Sequence, residues 1–194
     1  MNETLQTIKS RRSVRKYKEE QLSREHLMTI IEAGRYAPSG SNSQSCTILA
    51  IQNAKILADL IELAQQEFAK MDIMPDTYKS LATSINLSKK GSYNFSYNAP
   101  TLIIVTNITE YGNAMADSAC ILENMMLAAH SIGVGSCWLN QLRWLTENNV
   151  VRKYLYGLGM EENHSVFGSL GLGYPNAPIL PQLERKGNKF KIID

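Results

Sequence analysis

Leu5 and Ile8 fall on one face of a short helix over Glu3–Lys9, and the basic stretch Lys16-Tyr17-Lys18 cannot continue that face. Leu27, Ile30, Ile31 and Gly34 then keep helical spacing. Ser23 suits the N-cap of this second helix, and Leu22 with Leu27 suits a hydrophobic staple. The helix should stop near Tyr36, because Ala37 precedes Pro38 and is pushed out of the α region. A strand is predicted over Cys46–Gln52. A helix follows over Ala54–Phe68, with Ile56, Leu57, Leu60, Ile61, Ala64 and Phe68 on its inner face. From Met71 to Asn98 the periodicity weakens. A short helix around Tyr78–Leu87 and the aromatic residues Tyr93, Phe95 and Tyr97 stand in a span long enough to cover a site. Thr101–Thr106 is almost wholly apolar and reads as a central strand covered on both faces. Met115–Ile132 is the longest helical pattern. Its apolar groups spread round much of the circumference, so it should be buried, in part against a second subunit. Gly133 and Gly135 end it, and Ser136–Leu139 should leave that turn as a strand. A helix over Leu145–Tyr154 and a strand over Val166–Tyr174 follow, the latter with glycines that permit close backbone approach. Pro175–Asp194 reads as an extended arm. No repeat, low-complexity tract or linker divides the chain, so residues 1–194 should form one domain.

Composition narrows the classes. The chain has 194 residues, 44% hydrophobic and 20% charged, enough for one sizeable core. A formal net charge of +2 makes no field for nucleic acid. Cys46, Cys120 and Cys137 are odd in number and lack metal or redox spacing, which suits a reduced, cytoplasmic protein. Met1-Asn2-Glu3 opens straight into an amphipathic pattern rather than a signal peptide. No apolar run approaches the ~18 residues of a membrane span.

Chemistry concentrates in two stretches. In Arg11-Arg12-Ser13-Val14-Arg15, three guanidinium groups and a hydroxyl fall within five residues. If the segment is extended, Arg11, Ser13 and Arg15 point the same way. Arg presents a planar fork of donors that matches phosphate oxygens. The alternative is a solvated basic turn. Pro38-Ser39-Gly40-Ser41-Asn42-Ser43-Gln44-Ser45 is a loop of hydroxyls and amides able to bond a polar heterocycle edge or a ribityl chain, or else a plain connection. A dinucleotide fingerprint fails on order: Gly133-Val134-Gly135 follows a helix, and Gly168, Gly171 and Gly173 lie inside a strand. His26, His130 and His164 lie far apart without ligand-spaced partners, so no metal is expected. Cys137 suits a buried structural thiol better than a nucleophile, and His130 a core or interface residue. Donors and phosphate-binding arginines without an acid–base constellation fit an enzyme whose chemistry resides in an organic cofactor.

The sequence resembles the FMN-dependent nitroreductase family over nearly its whole length. The matching elements are Arg11 to Tyr17, Ala37 to Gln44, Ala99 to Val105, Asp117 through Gly133-Val134-Gly135-Ser136-Cys137-Trp138, and Leu172-Gly173-Tyr174-Pro175 with Arg185-Lys186. The resemblance implies an α+β fold: a mixed central sheet flanked by helices, a long central dimerisation helix and an extended C-terminal arm. It implies a homodimer with FMN at the interface. Arg11, Arg12, Ser13 and Arg15 would hold the phosphate, ribityl or flavin-edge oxygens, joined by Arg185 and Lys186. Pro38, Ser39, Gly40 and Asn42 would come from the other subunit. The turn Leu139-Asn140-Gln141 would bring backbone N–H groups near flavin N5.

The implied activity is ping-pong transfer of a hydride from NAD(P)H through the flavin to a nitroaromatic, quinone or similar acceptor, with no side chain assigned as a catalytic proton donor. Alternatives are other flavin chemistry on the same fold (dehalogenation or flavin fragmentation), a non-catalytic flavin-binding protein, or a helical interaction module. Two departures stand out. Cys46 occupies a position that is often aromatic, and Ser92-Tyr93-Asn94-Phe95 lacks the Lys that some relatives bring to the flavin. NAD or NADP preference and the acceptor are not legible.

Overall fold

The computed structural model describes residues 2–179, 181–182 and 184–194; Met1 and two positions of the expected arm, Leu180 and Leu183, lie outside them. Local chemistry starts the helices. Asn2 accepts the Leu5 N–H and opens α1 (Glu3–Ser10). Ser23 accepts the His26 N–H and opens α2 (Arg24–Arg35), which is capped at Tyr36 as Pro38 demands. Strand β1 (Thr47–Ile51) leads to α3 (Ala54–Ala69), capped by Asn53, and then to α4 (Lys79–Lys89). β2 (Thr101–Ile108), α5 (Ala114–Ser131) and β3 (Gly135–Leu139) follow.

The helix expected over Leu145–Tyr154 begins four residues later, at Asn149. A short α6 (Gln141–Trp144) ends at Leu145, and α7 (Asn149–Gly157) starts only after Asn148. The physical reason is the Asn148 side chain, which accepts the N–H groups of Val150 and Val151 and donates to Glu67. Leu145 keeps helical spacing to α7 but is buried as a turn residue. Strand β4 (His164–Gly173) closes the fold.

The sheet order is β1-β2-β4-β3. All three pairings are antiparallel, so the expected mixed sheet is corrected. The parallel component is the bridge between Ser13 and Ser136, outside the named strands. Strand side chains alternate, which explains the apolar run of β2. Leu102 and Ile104 enter a core with α3, α4, α6 and α7. Ile103 and Val105 enter a second core with α2 and α5 on the opposite face. Burying each such side chain contributes roughly 1.5–3 kcal/mol.

α5 lies across that second face through Leu122, Met125, Met126 and Ala129. Gly34 of α2 admits it, since a Cβ there would overlap the Met125 side chain. The opposite side of α5, along Ala116, Cys120, Glu123 and Leu127, is exposed or half-buried. The arm from Pro175 contains no helix or strand among its described residues. No helix among the described residues is long and apolar enough to cross a membrane.

Candidate functional site

The basic segment is extended and lies against the start of β3. Val14 N–H donates to the Ser136 carbonyl at 2.9 Å, and Ser13 bridges Ser136. Tyr17 continues the line. Its hydroxyl donates to the Val14 and Gly171 carbonyls, and it bridges Pro175. Lys18 N–H bonds the Tyr174 carbonyl, and Asn176 N–H bonds the Lys16 carbonyl. The segment is therefore a held edge rather than a solvated turn.

Glycine makes this docking possible. A Cβ on Gly135 would stand 2.8–2.9 Å from Cβ, Cγ1 and Cγ2 of Val14. All three sit close to the backbone and cannot swing away. Gly135→Ala is expected to cost about 1–3 kcal/mol and to displace the arginines. Gly157→Ala, which meets nothing within 4 Å, should stay within ~0.5 kcal/mol of the parent. Urea unfolding of both variants measures the difference; equal stabilities would show that Val14 yields freely.

The arginines are partly occupied. Arg12 donates to the Lys9 and Arg11 carbonyls and, through Nε, to the Pro181 carbonyl of the arm at 3.2 Å. Its Nη2 is buried without a partner among the described residues. Arg11 Nε is also buried without one; Glu123 lies at 3.9 Å, an ion pair beyond hydrogen-bond reach. Ser136 Oγ is a third orphan on the strand beneath. Arg15 lies over the Tyr97 ring, 5.7 Å from its centroid. A cavity of about 340 Å³ opens here, lined by Arg12, Ser13, Val14, Arg15, Pro178 and Ile179.

The neighbours fix the charge of the site. Burial pushes the Cys137 thiol up, against the opposing pull of Arg15 and Arg11. Cys137 is thus a buried thiol and not a nucleophile. His130, in the last turn of α5, exchanges a 2.8 Å hydrogen bond with Ser10 Oγ. Burial, Arg11 and Arg12 hold its pKa below the ordinary value, so it stays neutral beside the guanidinium groups.

The polar loop is held at the other end of α5. Asp117 accepts from Gly40 N–H at 3.1 Å and from Ser43 Oγ at 3.3 Å, and Tyr111 donates to the Gly40 carbonyl. Ser39 Oγ accepts the Gln44 N–H. Ser41, Asn42 and Gln44 have φ values of 52°, 54° and 48°. Left-handed non-glycine residues cost roughly 1–3 kcal/mol each, so the surroundings must impose them. A cavity of about 580 Å³ runs beside this loop, along Tyr36, Pro38, Ser39, Asn42, Cys46 and Ile121.

Asn140 and Gln141 follow β3. Asn140 Oδ1 accepts the Trp138 indole N–H, and Gln141 Nε2 donates to Tyr93, each at 2.8 Å. Arg185 and Lys186 are exposed, and Lys186 pairs with Glu184 at 3.1 Å.

Arg11, Arg12, Ser13 and Arg15 are therefore brought together. Pro38, Ser39, Gly40 and Asn42 form a separate group. Asp117 and His130, which anchor the two groups, are thirteen residues apart on one helix, about 20 Å at ~1.5 Å per residue. Sequence reasoning names Asp117 and Ser136 within the matching elements and Tyr93 and Tyr97 within the cover span, and gives none of them a contact in the site. For Asp117 the available signal was a carboxylate in the first turn of a largely apolar helix.

The model of the nitroreductase family matches residues 8–174. A solved nitroreductase with bound FMN from Bacteroides fragilis is 40% identical, covers all of both chains and superposes with a TM-score of 0.90. A second, from Desulfitobacterium hafniense and also with bound FMN, is 26% identical over the full length of both, with a TM-score of 0.84. The NADPH-flavin oxidoreductase of Vibrio harveyi is 28% identical over 185 residues, 94% of this chain and 71% of that one.

Proposed function

The chain belongs to the nitroreductase family, and from that premise we propose an FMN-dependent oxidoreductase that takes a hydride from NAD(P)H and delivers it, in a ping-pong sequence, to a nitroaromatic, quinone or similar acceptor. The observation that carries this reading is the orphaned polar set Arg11 Nε, Arg12 Nη2 and Ser136 Oγ on the basic segment and the strand beneath it, where Arg12, Ser13 and Arg15 line the 340 Å³ cavity. Each buried, unpaired donor costs about 1–3 kcal/mol. Phosphate oxygens are the acceptors such a set fits.

FMN, when bound, supplies hydride acceptance and release; the chain supplies binding, orientation and electrostatics. Arg11, Arg12, Ser13 and Arg15 hold the phosphate and the oxygen-bearing ring edge. Positive charge there favours the negative charge that reduction brings. Arg185 and Lys186 add to the phosphate side from the arm. Asn140 and Gln141 bound the ring end. Neutral His130 and protonated Cys137 contribute neither charge nor nucleophile.

Pro38, Ser39, Gly40 and Asn42 complete the site from a second copy. The separation of the two groups along α5 supports a homodimer, because two α5 helices packed about a two-fold axis bring the start of one towards the end of the other. Further support comes from the edge strand β1 and the exposed Phe190, Ile192 and Ile193 at the end of the arm, features a partner would cover. Three free cysteines suit a reduced, cytoplasmic protein acting as a single domain.

The test is the visible spectrum of the purified protein without oxygen, before and after NADH and then NADPH. Flavin bands that bleach are expected, and the donor that bleaches them faster is the preferred one. Bands that persist with both donors, or a protein that cannot be loaded with FMN, would overturn the reading.

A further inference from the structure

The sequence assigns the span Met71–Asn98 only the covering of a site. Within it, Tyr93 is half-buried, with its ring edge-on to Phe68 at a centroid distance of 6.2 Å. Its hydroxyl meets two groups: Ser84 Oγ of α4 at 2.7 Å and Gln141 Nε2 at 2.8 Å.

Proton accounting orients this chain. The Ser84 hydroxyl has one proton, which it donates to the Ser80 carbonyl one turn back, at 3.1 Å. Ser84 Oγ therefore accepts the Tyr93 proton. The Tyr93 oxygen is left as an acceptor, and it takes an N–H of Gln141. The Gln141 carboxamide is thus fixed with its nitrogen toward Tyr93. Its Oε1 faces away, buried and without a hydrogen-bond partner among the described residues. Burial raises the Tyr93 phenol above its ordinary range, so the donor persists at any physiological pH. Unpaired buried acceptors are uncommon, and each calls for an explanation.

Gln141 stands just past the end of β3, and the orphaned Ser136 beside the basic segment stands near its start. One orphaned donor of the anion site and this acceptor therefore stand at the two ends of β3, an order that suits the phosphate and the ring of one molecule. We propose that Tyr93 is a positioning residue: held by Ser84, it fixes the Gln141 amide so that Oε1 is presented as a hydrogen-bond acceptor to an N–H of the flavin ring. The inference rests on the FMN reading above and adds the cover segment to it.

A double-mutant cycle on FMN affinity, read by quenching of flavin fluorescence, tests it. Tyr93→Phe keeps the ring against Phe68 and removes only the hydroxyl. Tyr93→Phe and Gln141→Leu should each weaken FMN binding about three- to tenfold. The double variant should be no weaker than Gln141→Leu alone, within about twofold. Ser84→Ala is the second route. It frees the Tyr93 proton to turn the amide round, and it should lose affinity in the parent but not in Gln141→Leu. A Tyr93→Phe protein that binds FMN like the parent overturns the inference. So does an equal loss in both backgrounds, which would mean that Tyr93 acts on the fold and not through Gln141. Both outcomes leave the flavin reading intact; a parent chain that binds no FMN overturns the two together.

Discussion

Arg11→Ala is expected to raise the Kd for FMN by about 10- to 100-fold, measured by titrating the unloaded protein. The magnitude follows from a charge-assisted hydrogen bond worth ~1.5–3 kcal/mol, at 1.4 kcal/mol per tenfold. Arg11 carries the expectation more than Arg12 does. Arg12 is already engaged with the carbonyls of Lys9, Arg11 and Pro181. Arg11 Nε is buried with no hydrogen-bond partner among the described residues, and Glu123 at 3.9 Å is its ion-pair partner. Its removal also leaves that carboxylate facing the anion site without a countercharge, which deepens the loss. Arg11→Lys should recover only part of the affinity, because an ammonium cannot offer the planar fork. Thermal unfolding of the unloaded protein should move little, since a half-exposed ion pair of this length contributes ~0–1 kcal/mol. An unchanged Kd would remove Arg11 from the site.

What the sequence made legible, and what it hid, follows from the range of the interactions. Ser23 and Pro38 bracket α2 through contacts a few residues long, and both ends of that helix read correctly. β2 reads correctly because two cores, one on each face, leave no position for a polar residue among Leu102, Ile103, Ile104 and Val105. The turn at Leu145–Asn148, which delays α7, stayed hidden. Leu145 sits at helical spacing, and the contact that fixes Asn148 as a cap comes from Glu67, 81 residues away. The functional site divides in the same way. Three arginines in five residues are a local signal. The surface that holds them extended, Gly135 and Ser136, lies more than a hundred residues on. The Asp117 clamp on Gly40 needs α5 to be in place first. Nothing in the sequence marks Tyr97, a non-glycine residue at φ 55°, as the ring beneath Arg15.

The larger effect is expected at the surface of α5. The parent protein should scatter light with a mass near twice 21.7 kDa at micromolar concentration, and Cys120→Arg should reduce it to one chain and abolish FMN binding. Cys120 stands near the middle of the helix, half-buried, on the side that also carries Ala116, Glu123 and Leu127. In a single chain an Arg there is tolerated: it is a good helix former, and its stem can lie along the surface. Against a two-fold copy it meets its own image, so two like charges would be desolvated together. Loss of the cofactor should follow because the loop of Pro38, Ser39, Gly40 and Asn42 and the basic segment are anchored about 20 Å apart in one chain. On the proposed reading, a partner brings the two groups to one ligand. A monomeric Cys120→Arg protein that keeps the parent Kd for FMN would place the whole site within one chain and take the loop out of it. A parent protein that runs as a monomer with FMN bound would rule out the shared site altogether.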